Sequence, residues 1–281
     1  MEVIVAKTAG FCFGVDRALK TAYKNIDDEK MLTYGDIIHN KEVIKDLKEK
    51  NVDVVKSISE IDYYDAKKVI LRSHGVSRRE EEEIRAKDID VIDVTCPYVK
   101  KIHNLAMEAE ENGNSLIIAG DKNHSEVKGI AGWYDGEIVY LMSAEDAKNV
   151  DLDPKKNYEL VAQTTFNNKI FKEIVSILQK RRFHVIIRNT ICSATYKRQE
   201  EALLIAKKVD LMIVIGDNKS SNTRKLYDIC KGVCEDTYRI ETSSDFDYKL
   251  LKGCELVGIT AGASTPKKLI EEVISNVRNA K

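Results

Sequence analysis

No charge of one sign dominates the 281-residue chain: 45 lysines and arginines stand against 46 aspartates and glutamates, spread along its length. That balance offers no basic face, so neither nucleic acid nor an anionic membrane is expected as a partner. The apolar stretch Val3 to Ala6 is closed at once by Lys7, and no other apolar run approaches the roughly 18 residues of a membrane span. The chain therefore reads as soluble and cytoplasmic. Proline- or glycine-rich linkers and low-complexity tracts are missing too. So are the C-x-x-C pair of zinc ribbons and the tight cysteine run of ferredoxins. The six cysteines lie far apart in a long chain without an export signal. This argues against a disulfide framework and for buried thiols or metal ligands gathered from distant parts of the chain.

Length alone predicts about two domains at roughly 150 residues each, but an internal recurrence raises that number to three. Val3-Ile4-Val5 leads to Cys12, Val91-Ile92-Asp93-Val94 to Cys96, and Val185-Ile186-Ile187 to Cys192. Each cysteine is followed by helical periodicity, as in Val99, Ile102, His103, Ala106 and Ala109, or Ala202, Ile205, Ala206 and Val209. A second recurrence begins 23, 24 and 24 positions after these cysteines: Gly35-Asp36 leading to His39-Asn40, Gly120-Asp121 to His124-Ser125, and Gly216-Asp217 to Ser220-Ser221. A third is a strand followed by a small-residue loop: Ser73-His74-Gly75-Val76-Ser77, Gln163-Thr164-Thr165, and Ala261-Gly262-Ala263-Ser264. Ser77 and Glu80 have capping-box spacing, and Pro266 suits a first helical position. The Glu80 to Glu83 run reads as a solvated first turn. Strands alternating with helices predict an α/β fold with parallel sheets, whose ligands bind beyond the carboxyl ends of the strands.

Three thiolates can hold three irons of a cubane and leave the fourth open as a Lewis acid; a cysteine taken singly is more often a small buried hydrophobe. His39, His74 and His124 fall in the recurring loops, joined by Ser220, Asn222 and Ser264. Imidazole, hydroxyl and amide groups at helix N-termini suit phosphate oxygens, so the expected ligand is small and anionic. Glu126 stands two residues from His124, while Thr164 and Thr165 bring hydroxyls to another loop of the same repeat. A carboxyl group there could supply protons, or form an exposed salt bridge. His103 and His184 receive no role. Cys230 and Cys234 share a helix face, as core thiols or, with Cys254, as a metal site.

With these residues in view, the chain resembles the 4-hydroxy-3-methylbut-2-enyl diphosphate reductases. The likeness is carried by Gly10 to Ala18, Ile38-His39-Asn40, Ser73 to Ser77, Asp93 to Pro97, His124 to Val127, Gln163-Thr164-Thr165, Thr190-Ile191-Cys192, Ser220-Ser221-Asn222 and Ala261 to Ser264. The resemblance implies three pseudo-threefold α/β domains, 13–95, 96–192 and 193–281, the last completed by an N-terminal strand within 1–12. They would form a trefoil around a central cavity. It implies a 4Fe-4S cluster on Cys12, Cys96 and Cys192. His39, His74, His124, Thr164, Ser220, Ser221, Asn222 and Ser264 would contact an allylic diphosphate, with catalysis by Glu126 as proton donor, Thr164 and His124. The products would be isopentenyl and dimethylallyl diphosphate, and a ferredoxin or flavodoxin would donate electrons. Ser125 stands where many members have Pro, and Asp217 and Asn218 where Ser and Lys are frequent, which puts loop geometry in question. A quinolinate synthase-like cluster enzyme and a non-catalytic cluster sensor are the alternatives.

Overall fold

Short runs of Val, Ile and Leu become strands because β-branched and apolar side chains fit a pleated surface buried on both faces. The structure, a computed structural model, describes residues 1–280. Its strands are β1 (Glu2–Val5), β2 (Met31–Tyr34), β3 (Val52–Val55), β4 (Lys68–Leu71), β5 (Asp90–Asp93), β6 (Ser115–Ala119), β7 (Ile138–Leu141), β8 (Asn157–Ala162), β9 (His184–Ile187), β10 (Leu211–Ile215), β11 (Thr237–Ile240) and β12 (Leu256–Ala261). The helices are α1 (Phe13–Lys24), α2 (Lys41–Glu49), α3 (Ile58–Ile61), α4 (Arg78–Arg85), α5 (Pro97–Glu111), α6 (Ser125–Ala131), α7 (Ala144–Asn149), α8 (Asn168–Lys180), α9 (Ser193–Ala206), α10 (Ser221–Lys231) and α11 (Lys267–Asn279).

The strands form three four-stranded parallel sheets, ordered β3-β2-β4-β5, β7-β6-β8-β9 and β11-β10-β12-β1. The order within each repeat is therefore the same. In the third sheet the last place is taken by the N-terminal strand, with Val3 in register with Val257. The chain divides into two compact units. Met1–Asp16, Ile38–Asp46 and Ser193–Lys281 make the first, which holds the β1 sheet, and Arg17–Ile37 and Leu47–Cys192 make the second, which holds the other two.

Alternation along the central strands feeds two cores. In the second unit, Ile117, Ala119, Leu160 and Ala162 pack on Phe171, Ile174 and Leu178 of α8. Leu116, Ile118 and Val161 face Ile102, Ala106 and Ala109 of α5 and Val127 and Ile130 of α6. In the first unit, Ile213 and Ile259 face α11, while Met212 and Val214 face Ala202 and Ala206 of α9.

Local details refine the sequence reading. Ser77 and Glu80 form the expected capping box, yet Glu80 also accepts the Tyr34 hydroxyl at 2.8 Å, so the acidic run is not wholly solvated. Pro266 sits one place earlier than a first helical position, as the residue capping α11. Helix α10 ends at Lys231, so Cys234 lies beyond it; Cys230 and Cys234 are both buried, and burial pushes the Cys230 thiol up to about 12. They are core thiols. Among the described residues, no three His, Cys, Asp or Glu side chains close around a single metal ion. No helix among those residues is long and apolar enough to cross a membrane.

Leu160 is fully buried in β8. Leu160→Ala should cost about 2–5 kcal/mol in denaturant unfolding, whereas Leu204→Ala, at a half-exposed position on α9, should stay within about 0.5 kcal/mol.

Candidate active-site loops

After the third strand of each repeat the chain makes the same turn. Gly75 N–H donates to the Arg72 carbonyl at 3.0 Å, Phe166 to Gln163 at 2.8 Å and Thr265 to Gly262 at 3.1 Å. The carbonyl of the second residue of each turn accepts a cysteine N–H: Cys96 to Ser73 and Cys192 to Thr164 at 3.0 Å, and Cys12 to Ala263 at 3.1 Å. These cysteines immediately precede α5, α9 and α1, where unsatisfied N–H groups favour an anionic group. All three are partly exposed, unlike Cys230 and Cys234, and no cysteine forms a disulfide. In the first unit the approach to Cys12 is clamped by Glu201, which accepts the Lys7 N–H at 2.8 Å and the Thr8 N–H at 2.9 Å.

The Gly-Asp turns are also built alike. Gly35, Gly120 and Gly216 donate their N–H groups to Val55, Leu141 and Ile240, at 2.8, 3.1 and 2.8 Å. Gly216 has φ +152°, and a Cβ there would meet Thr223 Oγ1 at 2.4 Å, so only glycine fits.

Within the second unit, His124 caps α6, its Nδ1 accepting the Glu126 N–H at 3.1 Å. Glu126 is 2% exposed. Its carboxylate accepts the Thr164 N–H at 2.6 Å and the Thr164 hydroxyl at 2.8 Å. The exposed salt bridge allowed by spacing is therefore not formed. The His74 and His124 rings meet edge to face at 5.7 Å. Ser73 anchors the His74 turn by donating its hydroxyl to the Ile37 carbonyl at 2.7 Å, and Arg72 donates to the Gly75 carbonyl at 3.1 Å. Cys96, Cys192, His74, His124, Glu126 and Thr164 all belong to this unit.

Within the first unit, the Ser264 hydroxyl donates to the His39 carbonyl at 2.9 Å, next to the Ala263 carbonyl that holds Cys12. Ser220 caps α10 by accepting the Thr223 N–H at 3.2 Å, with Ser221 and Asn222 in the helix's first turn. Asn222 is 4% exposed, and neither its Oδ1 nor its Nδ2 finds a hydrogen-bond partner among the described residues. Leaving a buried polar group unsatisfied costs about 1–3 kcal/mol, so the amide is suited to a ligand. Asp217, one of the departures from the family pattern, accepts the Lys41 N–H at 3.1 Å and the Lys219 N–H at 2.7 Å. It thereby ties the Ser220 loop to the start of α2. Asn218 N–H donates to Glu241 at 2.9 Å. Spacing did not reveal these tethers, because Glu241 comes from a different strand-to-helix loop.

Three parallel α/β sheets with cysteines, histidines, hydroxyls and a buried carboxylate on the loops beyond their strands define an α/β enzyme. The family described as "LytB protein" matches residues 3–278. A 4-hydroxy-3-methylbut-2-enyl diphosphate reductase of Caldanaerobacter subterraneus subsp. tengcongensis is 43% identical, covering 100% of this chain and 98% of the relative. One from Clostridioides difficile is 41% identical over 99% of this chain and 100% of its own. Among solved structures, the E-1-hydroxy-2-methyl-but-2-enyl-4-diphosphate reductase of Plasmodium falciparum aligns with a TM-score of 0.93 at 27% identity, covering 99% of this chain and 88% of that one. A structure of (E)-4-hydroxy-3-methyl-but-2-enyl diphosphate reductase, described as the terminal enzyme of the non-mevalonate pathway, aligns at 0.68 with 39% identity, covering 99% of both chains. The chain belongs to the LytB family and is an oxidoreductase. This decides against the quinolinate synthase-like and sensor alternatives.

One residue without an assigned role is unusual in its setting. His103 on α5 is 4% exposed, and burial lowers its pKa to about 4, with Asp93 opposing and Lys100 assisting. A histidine in the unfolded chain titrates near 6.5, so between those values the unfolded state binds a proton that the folded state does not. The stabilisation from keeping the ring neutral is complete above pH 6.5 and is lost as the pH falls towards 4. Urea unfolding of wild type should lose about 3 kcal/mol more than His103→Phe between pH 7 and pH 4; parallel losses would place the titration elsewhere.

Proposed function

We propose that this oxidoreductase converts (E)-4-hydroxy-3-methylbut-2-enyl diphosphate into isopentenyl and dimethylallyl diphosphate. Two electrons and two protons enter, the allylic C–O bond breaks, the hydroxyl leaves as water, and one new C–H bond forms at either end of the allyl unit. Cys12, Cys96 and Cys192 would hold a 4Fe-4S cluster. Their fit rests on three partly exposed thiols presented by one repeated backbone arrangement, ahead of a helix N-terminus each time. A cubane spreads its thiolates over three irons, so the residues need not converge on one ion. When bound, the cluster supplies the electrons and a Lewis-acidic iron for the substrate hydroxyl.

The chain's own groups do the rest. His39, His74, His124, Ser220, Ser221, Asn222 and Ser264 bind the diphosphate and fix the reacting carbons in place, an effect that can be large. The Asn222 amide gains there the partners it otherwise lacks. Glu126 supplies a proton to the departing hydroxyl through the Thr164 hydroxyl, to which it is already bonded at 2.8 Å. The observation that carries this reading is the double duty of Thr164: its carbonyl holds Cys192, while its N–H and hydroxyl hold Glu126. One residue thereby connects the proton source to a cluster ligand. A ferredoxin or flavodoxin is the proposed electron donor. The cytoplasm is the proposed compartment, since a reducing environment preserves thiolate ligands.

Anaerobic reconstitution followed by Mössbauer spectroscopy should show one iron whose signal changes when the allylic diphosphate is added; an unchanged spectrum would reject an open iron. Glu126→Gln should retain the cluster and bind substrate while turnover drops roughly 10²-fold or more, and near-normal turnover would remove Glu126 from the proton path. Cys96→Ser should lose the cluster absorbance, so an intact cubane spectrum would reject that ligand.

A further inference from the structure

The turn that presents His74 rests on two aromatic rings. Gly75 has φ +75°, and a Cβ there would stand 2.6 Å from His103 Cε1 and 3.0 Å from Nε2. A side chain there would collide with the imidazole, so only glycine lets the backbone approach the ring this closely. His103 also stacks on Trp133, with ring centroids 5.1 Å apart and planes inclined by 17°. Trp133 Nε1–H in turn donates to the Val76 carbonyl at 2.8 Å, so the indole both supports the ring and grips the far end of the same turn.

Trp133 stands just past Gly132, the residue capping the end of α6, its N–H bonded to the Ile130 carbonyl at 3.0 Å. That helix carries His124 as its cap and Glu126 in its first turn. Gly129 of α6 passes close enough to the His74 turn that a Cβ would meet the Gly75 carbonyl carbon at 3.4 Å, and Arg78 N–H donates to the Gly132 carbonyl at 3.2 Å. The helix bearing the carboxylate and the turn bearing His74 are thus in direct contact, and the His103–Trp133 pair touches the same turn. His103 Nε2 is buried with no hydrogen-bond partner among the described residues. On that edge the ring therefore fills space beside the turn and makes no hydrogen bond to it.

We propose that His103 and Trp133 are positioning residues that set His74 relative to His124 and Glu126, a role that rests on His74 contacting the substrate diphosphate. His103→Ala removes the ring, whereas His103→Phe keeps an aromatic plane. Trp133→Phe keeps the stack but loses the bond to Val76. The effect passes through His74, proposed to hold the diphosphate end of the substrate and not the carbon that loses its hydroxyl, so it falls on binding more than on chemistry: a raised KM with kcat retained marks lost uniform binding.

The test uses reconstituted enzyme for kinetics and the substrate-free chain for NMR of the His74 imidazole. His103→Ala should shift the His74 resonances and raise KM for the allylic diphosphate about tenfold, with kcat within about threefold. His103→Phe should recover most of that loss, and Trp133→Phe should fall between. Trp133 is the sole tryptophan, so its emission reports independently whether the stack is lost. Unmoved His74 resonances, or an unchanged KM in folded His103→Ala, would overturn the proposal. So would a fall in kcat at constant KM that tracks the folded fraction. Wild-type enzyme inactive on the allylic diphosphate would instead refute the proposed function, leaving the NMR result to judge the platform.

Discussion

The hydrogen bond from a cysteine N–H to the carbonyl of a neighbouring turn is the constraint on which the site depends. It occurs three times, at 3.0, 3.0 and 3.1 Å, and each time joins the start of a helix to the loop beyond the third strand of its sheet. A cysteine between an edge strand and a helix would otherwise sit on a segment free to vary. Binding its backbone fixes where the thiol emerges, and each of the three thiols stays partly exposed. Preorganisation of this kind lowers the reorganisation needed when a ligand or cofactor is bound.

The second unit shows what burial demands of such a site. A carboxylate removed from water costs several kcal/mol unless its oxygens are satisfied. Glu126 has both oxygens engaged by Thr164. The pairing offsets the cost of burial and sets a hydroxyl against the carboxylate, the contact on which the proposed proton path rests. Asn222 in the first unit shows the opposite arrangement, with a buried amide left open. A fold can accept such a deficit where a ligand makes it good, which is the role proposed for Asn222.

The departures from the family pattern are absorbed locally. Ser125 begins α6 without proline's fixed φ, and the His124 side chain accepts the Glu126 N–H to cap that helix. Asp217 places a carboxylate beside a loop proposed to bind an anion, yet it is occupied by the N–H groups of Lys41 and Lys219. Charge that is committed to backbone donors acts as a tether more than as a repulsive field.

Strand, turn and helix periodicities were enough to place Cys12, Cys96 and Cys192 at equivalent junctions, and to place His74, His124 and Ser220 on recurring loops, because these depend on neighbours in the chain. The parallel α/β class followed from the same alternation. Burial of Glu126, its grip by Thr164 38 positions away, and the Asp217 tether to Lys41 were decided only by tertiary structure. The same is true of the stacking of His103 on Trp133 and its close contact with Gly75. Spacing along a chain records which face of an element a side chain occupies, whereas the partner across that face comes from packing between distant segments. Hydrogen bonds and ring contacts between such segments leave no period in the sequence for a reader to find.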